Sequence, residues 1–220
     1  MFLRSNGKSR IVATRVSVVG VVSMLMTSLF LYSLSSNAHD PSSVSNASDS
    51  RLFASDSIMT VTIEAPLTTL MTDRPDDEYL DGLFRFAGDD GRERTVNLGV
   101  RTRGEYRRQK KHCDFAPIRL NFQTAQLEGT VLAGQDKLKV VTHCRSKRKM
   151  QYKQLLLREF LAYRIVNPVT DKGFRVRLLS INYIDTDGAK PMTRLGFVIE
   201  DVDAVAERNG MFSIKTGDIS

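Results

Sequence analysis

Three short stretches between Val96 and Val140 alternate apolar and cationic side chains, and that alternation restricts the fold more than any other feature of the chain. At a period of two, Val96, Leu98, Val100 and Thr102 share one face, while Gly99, Arg101 and Arg103 share the other. Ile118, Leu120 and Phe122 oppose Arg119 and Asn121; Leu138 and Val140 oppose Lys137 and Lys139. Stretches of this kind are half-buried strands, with one face on a core and one toward water. If the three are neighbours, Arg101, Arg103, Arg119, Lys137 and Lys139 line one sheet surface. Such a surface attracts polyphosphate or acidic partners, because Arg holds phosphate through paired hydrogen bonds. The plainer alternative is a solvated face, where Lys and Arg are common.

The rest of the pattern extends that sheet. Residues 58–65 are rich in β-branched side chains and stop at Pro66, and residues 79–87 and 94–103 flank Gly88-Asp89-Asp90-Gly91, a hairpin signal. Strands at 175–184 and 192–199 flank Asp185-Thr186-Asp187-Gly188. That turn opens like a calcium loop, but its twelfth position is Gly196 rather than Glu, so a plain hairpin turn is expected. A helix is predicted over residues 149–166, stopped by Asn167-Pro168, and a short one over 201–208 ends before Gly210. The predicted fold is α+β, an antiparallel sheet with one packed helix.

Tyr152, Leu156, Phe160 and Tyr163 form the centre of the long helix's apolar stripe. Glu159 projects within that stripe, and a carboxylate facing a core is costly unless paired. A cationic partner on the sheet is therefore expected, with Arg119, Lys137 and Lys139 as candidates. The alternative is that Glu159 lies at the stripe's edge and reaches water.

Cys113 and Cys144 each follow a histidine, His112 and His143. Two Cys and two His are the ligand set of a tetrahedral zinc site, but adjacent strand residues point to opposite faces and the spacing matches no standard zinc pattern. A Cys113–Cys144 disulfide is the simpler expectation in an oxidising compartment.

Export is the expectation from the N-terminus. Residues 1–38 carry Arg4, Lys8, Arg10 and Arg15 without an acidic residue, then an apolar run over 16–34 and the small-residue site Ser36-Asn37-Ala38. These are the parts of a secretory signal peptide. The run is also long enough for an uncleaved membrane anchor. Either reading places the remaining chain across a membrane. Residues 39–57 read as a Ser-rich linker, with a glycosylation sequon at Asn46, and residues 58–220 as the domain. The 32 Lys and Arg against 25 Asp and Glu give a net charge of +7. Without the four N-terminal cations 28 remain against the same 25, an ordinary balance, and no RNA-binding or zinc-finger motif occurs. Nucleic acid is therefore set aside as a partner. Hydrophobic residues at 41% suffice for a core, which excludes wholesale disorder.

Four motifs stand in a telling order: Arg103-Gly104, Pro117-Ile118-Arg119-Leu120, Gly134-Gln135-Asp136-Lys137-Leu138-Lys139, and Leu156-Leu157-Arg158-Glu159-Phe160-Leu161-Ala162-Tyr163. A strand pair and the acidic end Phe197-Val198-Ile199-Glu200-Asp201 follow. From about Val96 to Asp203 the chain resembles the first half of the CotH-like (spore coat protein H) proteins, an atypical kinase-like family. Where that family usually has Arg-Gly-Asn, this chain has Arg103-Gly104-Glu105. The resemblance implies a kinase-like small lobe that binds ATP with Mg²⁺ on the basic side of its sheet. Arg119, Lys137 or Lys139 would touch phosphate, Glu159 would position that cation, and Glu200 and Asp201 would fall near a hinge.

Phosphoryl transfer also needs an Asp to orient the acceptor and an Asp or Asn on Mg²⁺. Asp218 is the one acidic residue among the last ten, and no Asp-x-x-x-x-Asn or Asp-Phe-Gly-like segment follows Glu200. The chain thus reads as the front half of a kinase-like protein, exported or anchored and not catalytic as given. The alternative is a non-catalytic module whose basic sheet face holds an anionic envelope polymer or a protein partner. A hydrolase is a weaker third reading, with neither a Ser-His-Asp nor a paired-carboxylate arrangement to support it.

Overall fold

Alternating burial runs through nearly every strand of the computed structural model, which describes residues 50–214. All of these belong to one compact unit. The strands are β1 (Met59–Ala65), β2 (Leu80–Ala87), β3 (Glu93–Thr102), β4 (Ile118–Phe122), β5 (Lys137–Val141), β6 (Val176–Asp185) and β7 (Met192–Ile199). The α-helices among the described residues are α1 (Leu67–Asp73), α2 (Lys149–Val166) and α3 (Val202–Arg208).

The strands close into a barrel in the order β1-β2-β3-β4-β5-β7-β6. Six neighbouring pairs are antiparallel, and the seventh, β1 with β6, is parallel. The α+β class stands; the antiparallel sheet is corrected to a mixed, closed barrel. Alternation along a strand reports which side is buried but not which strand pairs with which. Closure between β1 and β6 satisfies two edges that an open sheet would leave bare.

Inside the barrel the alternation packs as the sequence requires. Val100, Ile118, Leu120 and Val140 are fully buried, and Phe84 meets Phe122 edge-on at 5.3 Å. A second, outer cluster lies under α2, where Leu156 packs with Val141, Val176, Phe197 and Ile199. Phe160 and Tyr163 place their rings 5.7 and 6.0 Å from that of Phe197. The helix therefore sits on the outer face of the barrel, along the stripe predicted for it.

Residues 50–57 lie on this unit rather than apart from it. Leu52 and Phe53 are buried, and the buried Arg177 donates to the Leu52 carbonyl at 3.0 Å and the Ser57 carbonyl at 3.2 Å. The targeting segment, the linker before Ser50, the Asn46 sequon and Asp218 lie outside the described residues.

The Asp185–Gly188 turn has a structural task. Asp185 accepts hydrogen bonds from the N–H of Leu67 (2.8 Å), the N–H of Thr68 (3.2 Å) and the Thr68 hydroxyl (2.5 Å). Asp187 accepts from the Thr69 N–H at 2.8 Å. Together they satisfy the donors that open α1, a helix whose Thr-rich sequence offers little propensity of its own. Burial opposes ionisation of Asp185, but the Thr68 hydroxyl and the N–H groups of Asp187, Thr68 and Leu67 outweigh it and hold the carboxyl below its usual range.

Candidate functional site

The cations of β3, β4 and β5 form a row in strict cross-strand register. Arg101 stands opposite Arg119, and Arg119 opposite Lys139; Asn121 stands opposite Lys137 one pair further along. Their strands bury the intervening apolar residues, so the cations share the outer face. Like charges directly opposite one another weaken a sheet. The row is therefore kept against a local cost, and its neighbours show how far that cost is offset.

Arg119 donates to Asp201 at 3.0 Å, and the Lys139 ammonium lies 3.9 Å from the same carboxylate oxygen. Asp201 caps α3, where its side chain accepts from the Asp203 N–H. One carboxylate thus serves two cations and a helix end. Burial lowers the pKa of Lys139, Arg103 and Arg119 add to that, and Asp201 opposes them. Arg101 is held differently, over the Tyr79 ring at 5.1 Å and by the Asp76 carbonyl. Arg101 and Arg119 each retain a buried Nε without an acceptor among the described residues. Lys137 pairs with Asp136 at 2.6 Å, and that hydrogen bond raises its pKa.

Arg103 lies just past the end of β3, near the helix residues Glu159 and Tyr163. Burial lowers its pKa and Arg119 lowers it further, while Tyr163 and Glu159 act in the opposite sense. It makes no ion pair within 4.0 Å among the described residues, which leaves its charge shared across several neighbours.

Glu159 does not pair with Arg119, Lys137 or Lys139. Its partner is Arg107, at 2.7 Å, from the β3–β4 connection. The sequence signal failed here because that connection, residues 103–117, folds back along α2 and delivers a guanidinium the strand pattern does not contain. The barrel meanwhile commits Arg119 and Lys139 to Asp201. The connection is fastened by a disulfide between Cys113 and Cys144, so neither sulfur is available to zinc.

Glu200, placed by resemblance among the cofactor-binding residues, is 1% exposed and fully engaged. It accepts from the Arg175 N–H at 3.0 Å, from the Arg175 guanidinium at 2.7 and 3.0 Å, and from Arg208 at 3.1 Å. Burial would raise its pKa, but Arg208 and Arg175 outweigh burial and hold the carboxyl below its usual range. Its geometry is that of a clamp tying α3 to β6. The residue that reaches the cations is its neighbour Asp201, and the signal for it was the helix start predicted there.

A cavity of about 610 Å³ opens beside this face, lined by the cations Arg101, Arg119 and Lys137 and by six carboxylates, among them Asp136, Glu200, Asp201 and Asp203; Lys139 and Arg103 lie outside its lining. Its size suits a small-molecule ligand. Among the described residues no cluster of three or more His, Cys, Asp or Glu is arranged to hold a metal ion, and no helix is long and apolar enough to cross a membrane. No protein-family model, curated protein or solved structure matches the chain.

Proposed function

We propose that the barrel is an exported nucleotide-binding module that takes the phosphates of ATP on the Arg101–Arg119–Lys139 row, as the resemblance to the first half of a CotH-like kinase implies. The observation that carries this reading is the cross-strand row itself, three like charges in register with one carboxylate, Asp201, shared by Arg119 and Lys139. A ligand that brings several negative charges into the row relieves the repulsion that the fold leaves in place. Arg103, just past the end of β3, adds a further positive charge between Arg119 and Glu159.

The kinase-like small lobe remains part of this proposal. Its helix carboxylate, Glu159, faces Arg107 in the described structure, and nucleotide binding would act on the neighbouring Arg103 and Arg119 rather than on a preformed strand–helix pair. Mg²⁺ is commonly held by one or two carboxylates together with the phosphates themselves. Asp201 and Asp203, two of the carboxylates that line the cavity, have the oxygen donors for that role. The mixture of carboxylates with cations around the cavity favours a metal–nucleotide over an extended anionic polymer, which calls for an uninterrupted basic surface. Export agrees with the disulfide, since such bonds persist in oxidising compartments.

The test is calorimetric titration of ATP with Mg²⁺ alongside thermal unfolding. Ligand at a hundred times its dissociation constant stabilises the native state by about 2.7 kcal/mol. That stabilisation should vanish in Arg119→Gln and survive in Lys190→Gln, a change remote from the row. Absence of any ATP effect on the wild-type protein overturns the reading. Salt-sensitive binding of an anionic polymer in its place would transfer the face to the structural-module reading.

A further inference from the structure

The N-terminus of α2 is built against the usual preferences of a helix. Its first turn contains no acidic residue, and its capping residue, Arg148, is left-handed (φ 55°) and offers no side-chain hydrogen bond. Lys149 and Lys153 follow one turn apart, two like charges on one face at the positive end of the helix dipole. Each of these choices disfavours the helix unless something negative sits there.

A cavity of about 280 Å³ lies at that spot, between the helix and strands β6 and β7. Arg145, Lys149, Lys153 and Arg194 line it together with His143, and no carboxylate among the described residues does. Lys149, Lys153 and Arg194 make no ion pair within 4.0 Å among the described residues. Arg145 and Arg194 spend one nitrogen each on main-chain carbonyls, those of Lys111 and Thr193, and the Arg194 Nε is buried with no acceptor among the described residues.

The independent sign of a ligand is His143. It is 5% exposed, lines the cavity, and neither ring nitrogen has a hydrogen-bond partner among the described residues. A buried imidazole without any partner forfeits free energy that ordinary packing does not return. Its ring is held in place by Phe115 at 4.6 Å and Tyr183 at 6.1 Å. Asp114, the carboxylate that acts on it, is occupied by the Ser146 N–H and hydroxyl.

We propose that this cavity is a second anion site, separate from the cationic row on β3–β5, and that it binds a phosphate-class oxyanion, free or as the phosphoryl group of a small phosphomonoester. Lys149, Lys153 and Arg194 supply the charge, the unfilled first turn of α2 supplies main-chain N–H groups, and His143 donates from the barrel side. The volume is at the low end for a small-molecule site, which suits a phosphate bearing a few carbon atoms and excludes a whole nucleotide.

Titration of the full chain with inorganic phosphate and, separately, with glycerol 3-phosphate, read by calorimetry and by the His143 ring resonances, tests the proposal. Saturable binding that moves those resonances is expected, and the double variant Lys153→Gln, Arg194→Gln should weaken it at least tenfold. Lys149→Gln, an exposed change that leaves packing intact, should weaken it severalfold even if the double variant does not fold. Arg119→Gln should leave it unchanged, which separates this site from the nucleotide reading. Tighter binding of glycerol 3-phosphate assigns the site to a phosphomonoester; equal affinity assigns it to free phosphate. Stationary His143 resonances, an equal response to chloride, or unaltered binding in Lys149→Gln overturns the proposal.

Discussion

Asp201 receives Arg119 at 3.0 Å while it caps α3, so one carboxylate connects the middle strand of the cationic row to the last described helix. The side chains are only 24% and 15% exposed, which places the pair where solvent screens weakly. Asp201→Asn separates the two tasks, because Asn caps helices about as well as Asp but carries no charge. A loss of about 2 kcal/mol in urea unfolding is expected, the scale of a hydrogen bond to a charged group. A loss within error would mean that Arg119 gains nothing from the carboxylate.

Glu200 should be the most sensitive acidic residue of the barrel. Removing its charge leaves the Arg175 and Arg208 guanidinium groups facing a neutral amide in a site that is 1% exposed. Glu200→Gln should cost about 3 kcal/mol, as for other broken buried pairs. The pH dependence has a definite sign. The folded pKa lies below the unfolded one, so the stabilisation is complete above the unfolded carboxylate pKa and is lost as pH falls through the folded value. Acid unfolding of Glu200→Gln should therefore show a shallower slope than that of the wild-type protein.

These two neighbours also show where sequence reasoning reaches its limit. The alternation in β3, β4 and β5 shows that Arg101, Arg119 and Lys139 each face away from the core, because period two is a local property; that they share one surface depends on the pairing of β3 with β4 and β4 with β5, which the pattern does not contain. The stripe of α2 was legible because its period is local too. What Glu159 pairs with was not, since Arg107 arrives from an irregular connection that carries no periodicity. Closure of the barrel by β1 and β6 depends on which edges meet, a long-range matter absent from either strand's pattern. α1 escaped notice because Asp185 and Asp187, far away in sequence, supply the hydrogen bonds that open it.

The Cys113–Cys144 bond ties the β3–β4 connection to the segment that leads into α2, across a sequence separation of 31. In the chain-entropy model a loop of that size contributes about 3–4 kcal/mol by restricting the unfolded chain. Reduction, or the double change Cys113→Ser, Cys144→Ser, should lower the denaturant midpoint by a corresponding amount. Arg107 rides on the connection, so the same change should loosen its contact with Glu159. Faster amide exchange in residues 103–117 of the reduced protein than of the oxidised one, with β5 unchanged, would report that. An unchanged midpoint in reducing buffer would show that packing alone holds the connection.

His143 should make stability sensitive to mild acid. Burial first, and then the Arg194 charge, lower its pKa from the ordinary 6.5 to about 4 in the folded protein, with Asp114 opposing. The unfolded chain therefore binds a proton over this range that the native state refuses. Stability is complete above pH 6.5 and declines as pH falls toward the folded value, a proton-linked loss of about 3 kcal/mol at the far end. His143→Phe should abolish this segment of the pH profile while leaving the carboxylate-driven segment below it, and unfolding at several pH values in both proteins would separate the two. An imidazole that titrates near 6.5 by NMR would show that the ring is reached by water and would remove the effect. Phosphate at the foot of α2 adds a second lever, because an anion beside the ring raises its folded pKa and should shift the decline toward lower stability loss at a given pH.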